Sequence, residues 1–196
     1  MTKENFKLHV PIIAGLLLIA NLPVFTHTQF RTRQPKPSTT ETANTAACET
    51  KYDRFKQKTT ITSGSRGIYR SSSPCEELSV SAGIIKDEEG KNSRVKEVEL
   101  VFQSVAERWR YHKEADVNFI VDGKRMTAGT AYAMGGIPVM SQVQEKMQLT
   151  LPTEKFLQII NGQEVEMKMG PTEVMLKPAD LEALHGFAKC AGLLTE

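Results

Sequence analysis

Three cysteines have the most specific chemistry available to any residues of this chain. Cys48, Cys75 and Cys190 lie far apart, with no Cys-x-x-Cys pair and no cysteine–histidine cluster, so their spacing does not predict a zinc site. A disulfide between any two would leave the third thiol free. We expect Cys48 to pair with Cys75, because that bond would close a loop containing the edge strand predicted over Lys58–Ser63. A Cys75–Cys190 bond and the absence of any disulfide are the alternatives.

Histidines and short motifs give no catalytic constellation. His112 and His185 fall outside any H-E-x-x-H or other metal-ligand spacing. The chain also lacks G-x-S-x-G, a Walker loop and a dinucleotide-binding glycine motif after a strand. We therefore expect no metal, no cofactor and no catalytic residue.

Acidic residues leave one enzymatic alternative open. Two pairs of glutamates occupy predicted wet faces of strands at positions i and i+2, where acids usually serve solubility; they are Glu97, Glu99, Glu164 and Glu166. Two facing strands could bring such carboxylates to the separation of about 5–10 Å that glycosidases use. The alternative function is therefore a small hydrolase-like envelope enzyme.

The N-terminus predicts export. Lys3 and Lys7 precede an uncharged run from Val10 to Phe25, which is typical of a secretory signal peptide. This run is shorter than the ~20 residues of a spanning helix, so we expect residues 1–27 to be cleaved. An uncleaved membrane anchor and a buried apolar segment are the alternatives.

Composition divides the remaining chain into a linker and one domain. Residues 28–50 are rich in Thr and Pro and predict a disordered linker, because they have too little apolar surface to offset the entropy of ordering. Residues 51–196 have the composition of a single globular domain. The formal net charge of +2 gives no reason to expect a nucleic-acid partner.

Hydrophobic periodicity predicts an α+β domain. Strict alternation in Gln144–Leu151 predicts a strand that buries its Met147 side. Asp122-Gly123 predicts a type I′ hairpin, and Gly170-Pro171 predicts a second hairpin. Thr153 is expected to cap a short helix near 153–161, and Pro178 to open a C-terminal helix over 178–191. We expect an antiparallel sheet or flattened sandwich of six to eight strands, with both helices packed on it.

Two aromatic or apolar stretches suggest contacts. The strand beginning near Glu97 is expected to run on to Tyr111, with Trp109 anchoring the edge of the core; a basic-aromatic binding patch is the alternative there. The stretch from Gly129 to Met140 contains no charge and is expected to be a mobile apolar loop. Its candidate contact residues are Tyr132, Met134, Ile137, Val139 and Met140. The alternative is that this loop folds back over the core.

Several segments together resemble a group of uncharacterised exported bacterial proteins. These segments are Tyr52–Lys56, Phe119–Arg125, Leu151–Phe156, Val165–Met167 and Asp180–Leu184. The resemblance covers most of residues 50–192 and implies a bacterial, exported, sheet-rich domain with a closing helix. It carries no assigned activity, so no functional residue follows from it.

The sequence therefore predicts an exported, non-enzymatic binding or structural domain. Its contact surface would be the apolar stretch 129–140 or a sheet edge, and its partner an unidentified protein or envelope component. We expect a secreted or periplasmic location, and contact with a membrane only through an uncleaved N-terminal segment.

Overall fold

The computed structural model describes residues 48–72, 75–87 and 95–194. The predicted signal peptide lies outside the described residues, as does all of the predicted linker except Cys48, Glu49 and Thr50. Among the described residues, no helix has the length and hydropathy needed to cross a membrane.

The described residues form ten strands and two helices. In chain order they are β1 (Glu49–Asp53), β2 (Lys58–Thr62), β3 (Arg66–Ser72), β4 (Cys75–Asp87), β5 (Glu97–Ala106), β6 (Glu114–Val121), β7 (Lys124–Val139), β8 (Gln142–Pro152), α1 (Thr153–Ile160), β9 (Val165–Met169), β10 (Thr172–Leu176) and α2 (Pro178–Cys190). The α+β class and both helices are as predicted. The number of strands exceeds the predicted six to eight, because β1 and β3 form in segments where no apolar alternation indicates a strand.

All ten strands belong to one antiparallel sheet. Its order is β1-β2-β4-β5-β8-β7-β6-β9-β10, and β3 pairs with β4 beside β2. Every neighbouring pair is antiparallel, which agrees with the short hairpin turns that the sequence contains. Asp122 and Gly123 both have positive φ, as the predicted type I′ turn requires, and they join β6 to β7. The second predicted hairpin joins β9 to β10 at Gly170.

The first strand corrects two expectations. Glu49 and Thr50 were expected to end the linker, but they pair with Thr62 and Ile61 and open β1. β2, expected at the sheet edge, is therefore covered by β1. The signal for β1 is weak because all five of its side chains are exposed and no apolar alternation marks them.

The hydrophobic core lies on one face of the sheet, beneath the two helices. β8 buries Met147, Leu149 and Leu151, the side that the alternation predicts. α1 meets α2 through Phe156 and Phe187, whose ring centroids lie 6.1 Å apart at 81°, an edge-to-face arrangement. Both helices are thus held by their apolar faces.

The start of α1 differs from the prediction. Pro152 is the N-cap residue and no side chain caps this helix end. Thr153 lies inside the helix, and its hydroxyl donates a hydrogen bond of 2.8 Å to the carbonyl of Val95. This threonine therefore ties the helix to the segment before β5 instead of capping its own backbone.

Candidate functional site

The apolar stretch 129–140 is a strand and not a loop. β6 pairs with β7 only as far as Tyr132, and beyond that residue β7 pairs with β8 alone, up to Val139 opposite Gln142. We call residues 132–143 the finger. The prediction of a loop was wrong because its glycines and proline, which normally indicate a turn, here occupy a two-stranded end where one strand edge is free.

The finger exposes the apolar side chains that were predicted to make contacts. All are well exposed, and Met140 at the tip is completely so; they are Tyr132, Met134, Ile137, Val139 and Met140. Residues 126–144 contain no charged side chain. Isolated apolar residues on a surface are ordinary, but a contiguous group of this kind usually marks an interaction site. The alternative, that this stretch folds back over the core, is wrong.

Strand pairing assigns these side chains to faces of the sheet. Residues directly opposite each other in antiparallel strands point to the same face. Val143 and Glu145 are buried, so Pro138 and Gly136, their partners, lie on the inner face. Tyr132, Ile137 and Val139 pair with Gln148, Gln144 and Gln142 and lie on the outer face. The finger therefore exposes apolar groups on its outer face and at its tip. On its inner face, β7 contributes Gly136 and Pro138.

Met140 holds a backbone conformation that glycine would adopt more easily. Its φ is +57°, in the left-handed region, where a side chain costs of order 1 kcal/mol or more. Its side chain makes no compensating core contact, because it is fully exposed. Met140 and Ser141 form the two-residue turn between β7 and β8, and hairpin turns of this length require a positive φ at their first position, so the turn imposes this conformation.

Trp109 packs on the inner face of the finger. The strand β5 ends at Ala106, so the expected continuation to Tyr111 is wrong, and residues 107–113 form a loop that crosses the sheet. A Cβ added at Gly136 would lie 2.4 Å from Cζ3 and 2.8 Å from Cη2 of Trp109. The indole therefore rests directly on the backbone of Gly136. It is 42% exposed and belongs to the finger surface instead of anchoring the edge of the core.

We predict that Gly136→Ala displaces Trp109. The new methyl group would overlap the indole and also approach the carbonyl of Gln144 at 3.2 Å, so the ring must move. Overpacking of this kind costs about 1–3 kcal/mol. Because this protein has one tryptophan, its fluorescence reports on the site directly, and we expect a red-shifted emission together with a lower urea midpoint.

Gly67→Ala is the matched control. Gly67 also lies in a strand, and a Cβ built there meets nothing within 4 Å. Its emission spectrum should equal that of the wild type. An unchanged spectrum in Gly136→Ala would show that Trp109 does not rest on Gly136.

A buried glutamate holds the loop that carries Trp109. Glu145 lies on β8 among the inner-face residues and is 2% exposed. Its carboxylate accepts hydrogen bonds from the backbone N–H groups of Arg110 at 2.7 Å, Tyr111 at 3.2 Å and His112 at 2.9 Å. Hydrogen bonds to a charged acceptor are the stronger ones in proteins. Glu145 therefore fixes the loop at the base of the finger.

A second buried glutamate, Glu76, binds side chains of the same region. The hydroxyl of Tyr111 donates to its Oε1 at 2.9 Å, and Thr172 donates to the same oxygen at 3.0 Å. Arg110 Nη2 lies 2.9 Å from its Oε2. Burial, with the nearby carboxylate, raises the pKa of Tyr111 well above its usual value, so this hydroxyl stays protonated and serves as a donor.

This network removes Tyr111 and Arg110 from the alternative of a basic-aromatic patch. Tyr111 is buried, and Arg110 is occupied by Glu76, so neither presents a free surface for a ligand. Trp109 and His112 remain exposed. The roles of Glu145 and Glu76 were not predicted, although both acids lie two residues before a buried apolar residue, Met147 and Leu78, on the buried sides of their strands.

The glutamates of the enzymatic alternative do not meet along the sheet. Glu97 and Glu99 belong to β5, whereas Glu166 belongs to β9 and Glu164 precedes it. Three strands, β8, β7 and β6, separate β5 from β9. The strand partners of Glu97, Glu99 and Glu166 include no acid, so these glutamates do not face one another across a strand pair, which is the arrangement that the enzymatic alternative requires. Among the residues that the structure describes, no group of three or more His, Cys, Asp or Glu side chains could hold a metal ion.

The cysteines pair differently from the prediction. Cys48 is bonded to Cys190, with their Cα atoms 6.4 Å apart, and Cys75 is a free, half-buried thiol. Strand register explains why Cys48–Cys75 was wrong. Glu49 is level with Thr62 and hence with Gly83, whereas Cys75 lies at the far end of β4. The eight steps along β4 from Gly83 to Cys75 span about 26 Å, which is too far for a disulfide between Cys48 and Cys75.

Comparisons with known proteins add no relative. No family model matches this chain, and no curated protein or solved structure matches it either. The resemblance to exported bacterial proteins stays a prediction.

Proposed function

We propose that this protein is an exported, non-enzymatic binding domain that contacts a component of the cell envelope through the finger. The observation that carries this proposal is the exposure of five large apolar side chains in a charge-free strand end. A surface of this composition loses its contact with water when a partner covers it, which favours association.

The finger is built as a defined surface. β7 and β8 remain paired to the tip, Trp109 covers Gly136, and Glu145 fixes the loop from which Trp109 extends. A surface ordered before binding loses less conformational entropy on association than a mobile loop. The finger therefore suits recognition better than the mobile loop that the sequence predicts.

The disulfide supports the proposed location. Disulfides form and persist mainly in oxidising compartments outside the cytosol, and the Cys48–Cys190 bond is compatible with such a compartment. Together with the predicted signal peptide, this bond favours a secreted or periplasmic protein.

We predict that a finger variant, Ile137→Thr with Met140→Ser, loses binding to envelope fragments. Threonine keeps the β-branched shape that a strand favours, and serine suits a turn, so the change removes apolar surface with little effect on the fold. Burying an isoleucine or methionine side chain contributes about 1.5–3 kcal/mol, so the two changes together should weaken binding by a hundredfold or more. Co-sedimentation of the full chain with washed envelope fragments measures this.

A matched control variant exists elsewhere on the sheet. Ile85→Thr with Met175→Ser makes the same two changes at exposed positions of β4 and β10, outside the finger. It should sediment as the wild type does. Equal sedimentation of the finger variant would exclude the finger as the contact surface, and equal loss in both variants would show non-specific adhesion.

A further inference from the structure

The finger is apolar on more than one side. Tyr132, Ile137 and Val139 lie on its outer face, Pro138 and the exposed indole of Trp109 lie on its inner face, and Met140 is fully exposed at its end. A flat protein partner would cover only one of these faces and leave the other in water. The glutamines opposite Tyr132, Ile137 and Val139 are half-buried, so the exposed surface of both faces and of the tip is mainly apolar. This arrangement fits an apolar medium that surrounds the tip.

The order of residues from tip to base matches the layers of a bilayer surface. Met140 forms the tip, and the indole of Trp109 packs at Gly136, about 13 Å back along the strand. Elements that lie at a membrane interface enter it by about 5–10 Å, which would bring the indole to the headgroup level. Tryptophan and tyrosine favour that level, because their rings are apolar and their N–H and O–H groups are polar.

Charge changes at the base of the finger. The charge-free stretch 126–144 ends at Glu145, which is buried. Around the base, the exposed cations are Arg108, Lys113 and Lys146, and the exposed acids are Glu107 and Glu114. Long cationic side chains beside an apolar surface can reach lipid phosphates while their methylene groups stay in the interface. Asp116, opposite Thr130, is a third exposed acid, so contact with anionic headgroups depends on the reach of these cations and not on net charge.

The backbone permits shallow entry. β7 and β8 satisfy one another's N–H and C=O groups along the finger, and Pro138 has no N–H to leave unpaired. Among the described residues, no strand lies beside the other edge of β7 beyond Tyr132. Unpaired backbone groups are costly in hydrocarbon, so this edge limits the finger to the interfacial layer.

We propose that the envelope component bound by the finger is the surface of a phospholipid bilayer with anionic headgroups. This inference rests on the proposed function, because it names the partner of the same surface. It differs from the expectation that only an uncleaved N-terminal segment would contact a membrane, because here the folded domain itself binds the membrane surface.

The single tryptophan gives a test that reads the finger and not the N-terminal segment. Full-length protein is mixed with vesicles of phosphatidylcholine alone or of phosphatidylcholine containing phosphatidylglycerol. With the anionic vesicles we expect the Trp109 emission to shift to the blue and to be quenched by lipids brominated near the headgroup. The finger variant should need about a hundredfold more anionic lipid for the same shift, whereas the control variant should match the wild type.

Other outcomes would overturn the inference. No spectral change on adding anionic vesicles to the wild type would do so, as would an equal change in the finger variant. A blue shift that grows with protein concentration in the absence of lipid would indicate a second copy as the occupant. If the finger variant loses binding to envelope fragments while pure vesicles leave the wild-type spectrum unchanged, the proposed function stands and its partner is a protein.

Discussion

Replacing Glu145 with alanine is expected to reduce the free energy of unfolding by about 3 kcal/mol. The change leaves three backbone N–H groups, those of Arg110, Tyr111 and His112, without their acceptor. A buried donor without a partner costs about 1–3 kcal/mol, and the Tyr111 N–H lies inside the protein. Water can reach the other two groups in part, so we place the sum near 3 kcal/mol and not at its upper limit.

Urea unfolding measures this loss. Glu166→Ala on β9 is the control, because Glu166 is an exposed acid on a strand and surface substitutions usually change stability by no more than about 0.5 kcal/mol. The Trp109 emission of Glu145→Ala should also shift to the red, since the loop that carries the indole is released. A loss below about 1 kcal/mol would contradict the assigned role of Glu145.

Glu145 also couples stability to function. It fixes the loop 107–113, this loop places Trp109 on Gly136, and Trp109 forms one side of the finger. Each step is a direct contact, so a change in the buried carboxylate reaches the exposed surface without any long-range rearrangement. The same strand, β8, supplies Glu145 and the last two residues of the finger, Gln142 and Val143.

Alternation and turn chemistry made much of the sheet predictable from sequence. Buried side chains recur at every second position of β8 and β9, and Asp122-Gly123 has few conformations other than a type I′ turn. The helices were predictable for a similar reason, because Pro178 and the apolar spacing of α2 together indicate its start and its buried face.

The finger was harder to predict as a structure than as a surface. Its composition indicates exposure and contact, but strand pairing there depends on Gly136, whose lack of a side chain admits Trp109 from elsewhere in the chain. The residue pattern around Gly136 does not indicate that Trp109 packs against it. The buried acids pose the same difficulty, because Glu76 and Glu145 are stabilised by groups distant in sequence.

Removing the Cys48–Cys190 disulfide is expected to cost about 4 kcal/mol, the largest effect of any change considered. The bond joins residues that are 142 apart in sequence. In the chain-entropy account, closing a loop of that length reduces the entropy of the unfolded chain and so stabilises the folded state by about 5 kcal/mol. Measured values usually fall somewhat below that limit. The double variant Cys48→Ser with Cys190→Ser, unfolded in urea beside the wild type, tests this value.

Cys75→Ser is the control, and it should differ from the wild type by no more than about 0.5 kcal/mol because its half-buried thiol is free. Loss of the bond should act first on β1, because its five side chains are all exposed and β2 is its one partner strand in the part of the chain that the structure describes. Hydrogen exchange of Glu49–Asp53 should therefore quicken before that of β8. Non-reducing peptide mapping of the wild type should recover a linked pair containing Cys48 and Cys190. A linked peptide containing Cys75, or a double variant as stable as the wild type, would contradict this arrangement.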